Sequence, residues 1–241
     1  MLAVEFKKWL TAPDSSINHS SMSVEGNAEI VSLLLDKGVD VNAQVGECGN
    51  ALQVASVKGN AEIVRLLLDK GADMTAHNSE YGTVLYAASE RGNAKIVRLL
   101  LNKGADVNAQ GGKYGTALHA ASVEGNAGIV KLLLDKGADV NANDDEYGTA
   151  LQVALEKGYA SIVNLLLDKG ADVNIEGGLW GNALQAASVW GDAEIVGLLL
   201  DKGADVNAQG GIFGNALQAA RATGYPEIVR LLLSRGANPS V

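Results

Sequence analysis

Asn50-Ala-Leu-Gln-Val-Ala-Ser-Val-Lys-Gly-Asn-Ala-Glu-Ile-Val-Arg-Leu-Leu-Leu-Asp-Lys-Gly71 holds two short helical patterns divided by one glycine. Asn50 is a good N-cap, Leu52 and Ala55 share one face, and the first pattern stops at Gly59. Asn60 stands where it could cap a second helix, Glu62 suits that helix's positive end, and Ile63, Val64, Leu66, Leu67 and Leu68 supply its buried side. Lys70 falls at the negative end, ahead of Gly71 as a left-handed C-cap. A first helix of about nine residues is too short to persist alone in water. It needs copies of itself to stack on.

The copies are present. Gly26, Gly59, Gly92, Gly125, Gly158, Gly191 and Gly224 recur every 33 residues, and Gly49, Gly82, Gly115, Gly148, Gly181 and Gly214 keep a second register. A fixed period of this size marks a solenoid. Between the helical pairs, stretches such as Asp106-Val-Asn-Ala-Gln-Gly-Gly-Lys-Tyr-Gly115 carry turn residues and no helical pattern, which predicts a hairpin-like finger.

Gly104-Ala-Asp-Val-Asn-Ala109, Thr116-Ala-Leu-His119 and Gly125-Asn-Ala-Gly-Ile-Val-Lys-Leu-Leu-Leu134 resemble the ankyrin repeat, from about Gly26 to Asn238. The resemblance implies an all-α ankyrin-repeat solenoid of helix-turn-helix units with hairpin-like finger loops. Two features depart from the family's common form. Its Thr-Pro-Leu-His becomes Asn- or Thr-Ala-Leu-Gln in most repeats, with Thr-Val-Leu-Tyr at 83–86. The glycine normally two residues before that helix becomes Cys48, Tyr81, Tyr114, Tyr147, Trp180 and Phe213. This variant resembles the long arrays of filamentous fungi, often attached to nucleotide-binding signalling proteins.

The expected organisation is a capping region at 1–25 followed by the array at 26–241. Leu2, Phe6, Trp9 and Leu10 follow helical spacing, so Ala3–Leu10 is expected to cover the open first repeat. Ser16–Glu25 occupies the register of a first helix in a degenerate, polar form. Arg230, Ser234 and Arg235 dilute the last helix and read as a second cap.

Composition narrows the function classes. The single Cys48 excludes a disulfide framework and fits a reducing compartment. Met1–Leu10 is interrupted by Glu5, Lys7 and Lys8, so no secretory signal is read there, and no apolar run approaches the ~18 residues of a membrane span. The expectation is an intracellular, cytoplasmic protein. Net charge is −9, from 28 acidic and 19 basic residues, which disfavours a nucleic-acid partner. Asp69, Asp73, Asp135, Asp139, Asp168, Asp172, Asp201 and Asp205 recur in register, so much of that charge is copy number.

Catalytic patterns are not met. His119 holds the helix-start position, where the resemblance implies a structural hydrogen bond; His77 falls in a finger and His19 in the degenerate cap. None has a nucleophile spaced to pair with it. Gly111-Gly-Lys-Tyr-Gly-Thr116 fails the phosphate-loop spacing. Asp139-Val-Asn-Ala-Asn-Asp144 begins like a calcium loop but has Asp144 at the sixth place and Ala150 at the twelfth. Asp106 and Asp205 open the same near-miss, so these aspartates are expected to brace the finger backbone. No catalytic residue, metal site or cofactor is assigned.

The repeats differ from one another at their binding positions. The resemblance implies a partner surface on the concave side, built from finger tips and late first-helix residues. There the chain is charged and mixed over its first two-thirds, and then gathers Leu179, Val189, Trp190 and Ile212. Trp190 stands where other copies carry Lys58, Arg91, Glu124, Lys157 and Thr223. It reads equally as an interface anchor or as packing on the neighbouring finger. The periodic column Tyr81, Tyr114, Tyr147, Trp180 and Phe213 reads as finger-to-finger packing. Arg221 replaces Ser56, Ser89, Ser122 and Ser188, and could pair with a partner carboxylate or with Glu227. The expected function is a non-enzymatic protein-binding scaffold, centred on Leu179, Val189, Trp190, Ile212 and Arg221 with Glu146, Glu156 and Lys157 at the rim. The alternatives are a small-molecule or unusual enzymatic site in the aromatic C-terminal half of the groove, and a structural arm of a larger protein that packs or self-associates through the apolar patch.

Overall fold

The computed structural model describes residues 21–44, 49–78 and 82–239. The expected capping helix at 3–10 and the finger residues Glu47, Cys48, Glu80 and Tyr81 lie outside them. The chain divides into two compact halves, Met1–Ala120 and Ala121–Val241.

In the N-terminal half, α1 (Ser21–Asp36) precedes α2 (Ala51–Val57), α3 (Ala61–Asp69), β1 (His77–Asn78), β2 (Gly82–Thr83), α4 (Val84–Glu90) and α5 (Ala94–Asn102). The degenerate first helix expected at 16–25 does not end at Gly26. Residues 16–20 lie outside the described range, and α1 runs through Gly26 without a break. The first helices α2 and α4 span seven residues, shorter than the roughly nine expected. Asn50 caps α2 as read, its side chain accepting from the Gln53 N–H (3.0 Å) while Gln53 Oε1 accepts from the Asn50 N–H (3.0 Å). Asn60 and Asn93, by contrast, make no side-chain cap on α3 and α5. Asn93 instead turns back and donates to the Ser56 carbonyl at 3.0 Å, tying one repeat to the one before it. Gly71 ends α3 at φ +85°, and the Ala72 N–H returns to the Leu67 carbonyl (2.9 Å), the expected left-handed cap. Leu52, Ile63, Val64, Leu67, Leu85, Ile96 and Leu100 form the buried seam of this half. Each such side chain contributes about 1.5–3 kcal/mol on burial.

The chain passes between halves within α6 (Ala117–Val123). The C-terminal half contains α7 (Ala127–Asp135), β3 (Asn143–Asp144), β4 (Gly148–Thr149), α8 (Ala150–Glu156), α9 (Ala160–Asp168), α10 (Ala183–Trp190), α11 (Ala193–Asp201), α12 (Ala216–Thr223) and α13 (Pro226–Ser234). Its core is Leu151, Ile162, Leu166, Leu184, Val196, Leu199, Leu217 and Leu232. The second helices are cross-linked on their outer side. Lys169 pairs with Asp135 at 2.6 Å, Arg235 with Asp201 at 2.8 Å and, in the N-terminal half, Lys70 with Asp36 and Lys103 with Asp69. The terminal Lys or Arg of one repeat thus reaches the helix-end aspartate of the repeat before it.

Candidate functional site

Each finger is closed by short antiparallel pairing. His77 pairs with Thr83 and Asn143 with Thr149, while Gly177 and Gly181, and Gly210 and Gly214, form single bridges. The aspartates that open like calcium loops brace the backbone. Asp139 Oδ1 accepts from the Asn141 N–H (2.9 Å) and Asp205 Oδ1 from the Asn207 N–H (2.9 Å). The asparagine two residues on then spans repeats: Asn141 Oδ1 accepts from the Asp172 N–H and Asn174 Oδ1 from the Asp205 N–H, both at 2.8 Å. Among the described residues, no group of three or more His, Cys, Asp or Glu is placed to hold a metal ion, and no helix is long and apolar enough to cross a membrane.

The Ala-Leu-Gln variant has a defined role. Gln185 is buried at the start of α10, and its Oε1 accepts from the Asn182 N–H at 2.8 Å. Its Nε2 lies 3.2, 3.2 and 3.1 Å from the carbonyls of Ala208, Gly210 and Gly214, in the next finger. Gln152 reaches the carbonyls of Ile175, Gly177 and Gly181 in the same way, and Gln53 reaches Gly82 at 2.9 Å. Tyr86, in the same column, uses its hydroxyl to accept from the Tyr114 N–H at 3.2 Å. Burial pushes the Tyr86 phenol above its ordinary range, so it stays neutral there. His119 is buried with Nδ1 2.8 Å from Thr116 Oγ1. One position therefore both caps a helix and positions a finger.

Those fingers present an aromatic cluster in the C-terminal half. Trp180 stacks on Phe213 with ring centroids 6.2 Å apart and planes 9° from parallel. Trp190, at the end of α10, meets Trp180 edge-on at 6.0 Å and 80°. Gly211 permits the approach: at φ +58° its backbone lies against the Trp180 carbonyl, where a side chain would overlap it. Trp190 thus packs on a finger and still stays 48% exposed. Leu179 and Ile212, each preceding a ring of the stack, are 56% and 57% exposed. Val189 is half-buried beside Trp190. Trp180 and Phe213 stack between fingers, as their period suggested, and Trp180 is also the ring that Trp190 meets. Its periodicity hid that second contact.

The other expected residues make contacts of their own. Glu156 and Lys157 pair with each other at 3.3 Å. Exposed Glu146 donates its N–H to Asp144 Oδ1 (2.9 Å) in the finger of β3 and β4. Arg221 donates to the Pro239 carbonyl at 3.4 Å. Its counterparts Ser56 and Ser188 are fully buried and bonded to the carbonyl one turn back, Leu52 (2.8 Å) and Leu184 (2.7 Å). Arg221, by contrast, is exposed. On the second helices, Lys131 and Lys169, each 2.6 Å from Asp135, lower its carboxyl to about 2 by hydrogen bonding.

Comparison with known proteins agrees with this architecture. A family model described as ankyrin repeats (3 copies) matches residues 17–111, 52–144, 110–177 and 142–210, and a single ankyrin-repeat model matches 215–241. No curated protein matches the chain. Among solved structures, the human ASB11 ankyrin repeat domain is 26% identical with a TM-score of 0.73, over 90% of this chain and 96% of that one. The ankyrin repeat domain of Bcl-3, a member of the IkappaB protein family, is 29% identical with a TM-score of 0.74, over 87% of this chain and 95% of that one. With helix pairs, fingers and family models agreeing along the array, the chain belongs to the ankyrin-repeat family, whose solenoids generally mediate protein–protein interaction.

Proposed function

We propose that the chain is a non-enzymatic protein-binding module whose docking surface is the Trp180, Trp190 and Phe213 cluster with Leu179 and Ile212. The observation that carries this is the joint exposure of large apolar side chains on a preformed, stacked base. Aromatic anchors of this kind dominate interface energetics, and a base already held by fingers costs little ordering on binding. The two fingers are fixed through Gln152 and Gln185, so the surface is rigid before a partner arrives. Val189 extends the centre; Glu146, Glu156 and Lys157 lie at its rim, and Arg221 takes a place at the end of the array. The lone cysteine supports an intracellular setting, and the Ala-Leu-Gln variant supports kinship with the filamentous-fungal arrays.

The test is a quantitative pull-down from a lysate of the source organism. The intact chain is compared with a Leu179→Ser/Trp190→Ala/Ile212→Ser variant, after circular dichroism shows both folded. A protein recovered by the intact chain and lost with the variant is expected. Equal recovery by both would refute this placement of the surface.

A further inference from the structure

The fingers around the aromatic cluster are charged in one sense only. The finger of β3 and β4 carries Asp144, Asp145 and Glu146, and the next carries Glu176; residues 143–149, 175–181 and 208–214 include no Lys or Arg. Asp145, Glu146 and Glu176 are exposed. The fingers are neighbours: Asn143 Nδ2 donates to the Glu176 carbonyl at 3.1 Å. The Glu176 carboxyl in turn lies by Gly210, in the finger that presents Ile212 and Phe213. Lys157, which caps the end of α8, is paired with Glu156, and Arg221 on α12 donates to the Pro239 carbonyl. An apolar seat is thus bordered on one side by unpaired negative charge.

We infer, resting on the docking surface proposed above, that the occupant is an apolar segment of a partner protein carrying Lys or Arg. Its large aliphatic or aromatic side chain seats on Trp190 and the Trp180–Phe213 stack, and its cations lie over Asp145, Glu146 and Glu176. The geometry sets a spacing. Packed helices are ~8–10 Å apart and an extended chain advances ~3.3 Å per residue. One finger step from the anchor to the acidic tip therefore corresponds to about three residues. A second copy of this chain is a poor occupant, because docking would bring two sets of finger carboxylates together on a molecule of net charge −9.

The experiment pans a phage-displayed random 12-residue peptide library against the full chain and measures the selected peptides by fluorescence polarisation. The intact chain is compared with Trp190→Ala and with Asp145→Asn/Glu146→Gln/Glu176→Gln, at 50 and 500 mM NaCl. The expected peptides pair a Leu, Phe or Trp with Lys or Arg about three residues away. Their affinity is expected to fall tenfold or more with Trp190→Ala, and about fivefold with the charge variant or at high salt. Selected peptides that lose affinity with Trp190→Ala but are neutral or acidic, or ignore the charge variant, overturn this inference and leave the docking surface standing. Peptides insensitive to Trp190→Ala, or no selection at all, overturn both. Sedimentation equilibrium showing a dimer abolished by Trp190→Ala assigns the surface to a second copy and overturns the inference as well.

Discussion

Gln185→Ala is expected to destabilise the chain by about 3 kcal/mol, whereas Gln218→Ala at the same place in the last repeat costs under ~1 kcal/mol. In the native chain Gln185 Oε1 accepts one backbone N–H, and the two hydrogens of Nε2 are shared among three carbonyls of the next finger. Three hydrogen bonds at about 1 kcal/mol each are lost, and the Asn182 N–H is left buried without its acceptor. The Gly214 carbonyl keeps the Gly210 N–H at 2.7 Å, which limits the loss. Gln218 is exposed, and the cap there is held by its N–H, which donates to Asn215 Oδ1 at 2.8 Å. Urea unfolding followed by circular dichroism compares the two variants, and amide exchange at Gly210–Gly214 reports the finger directly. Faster exchange there in Gln185→Ala alone is expected. Equal losses in the two variants, or a Gln185→Ala cost below ~1 kcal/mol, would refute the claim that this column positions the fingers.

Trp190→Ala is expected to cost only about 1 kcal/mol in the same unfolding assay, since it removes one edge contact from a half-exposed ring; partner capture should fall far more than stability. Gly191→Ala should cost more than Gly203→Ala, although the two share φ near +90°. A side chain at Gly191 would strike the Tyr225 ring, while Gly203 faces open space and incurs only the left-handed strain of ~1–2 kcal/mol. Asp135 has its carboxyl lowered to about 2 in the folded chain by hydrogen bonds from Lys131 and Lys169. A depressed folded value means that its stabilisation is present above the ordinary carboxylate range, near ~4, and is lost as pH falls from there toward 2. The urea midpoint should therefore decline over that interval, and Asp135→Asn should flatten the decline.

Much of the fold was legible because the repeat fixes it. The glycine registers located every helix pair from Asn50 onward, and Asn50 reads correctly as a cap because capping is a local interaction within four residues. Contacts between repeats were harder to read. Asn60 and Asn93 have cap-like identities, yet Asn93 bonds the preceding repeat's Ser56 carbonyl, a choice made by stacking. The glutamine that replaces the usual histidine read only as a departure from the family's common form. It is a donor long enough to reach the next finger, and its recurrence at 53, 152 and 185 was the available signal. At the candidate site, Leu179, Trp190 and Ile212 stood out by failing to repeat. Trp180 and Phe213 did not, because they keep the period while also forming the stack beside Trp190. Arg221 stood out by leaving a serine column that is buried at 56 and 188, and its guanidinium donates to the Pro239 carbonyl, a contact that the sequence did not indicate.

The most direct test of the docking surface is site-specific photo-crosslinking with a benzoylphenylalanine at Leu179, compared with one at Lys131 on the outer side of α7. Exposed to a lysate of the source organism, the Leu179 probe is expected to give a discrete protein adduct. Excess intact chain should compete it away, and the Leu179→Ser/Trp190→Ala/Ile212→Ser variant should not. An adduct at Lys131 with none at Leu179, or equal competition by the variant, would contradict the assignment of binding to the aromatic fingers.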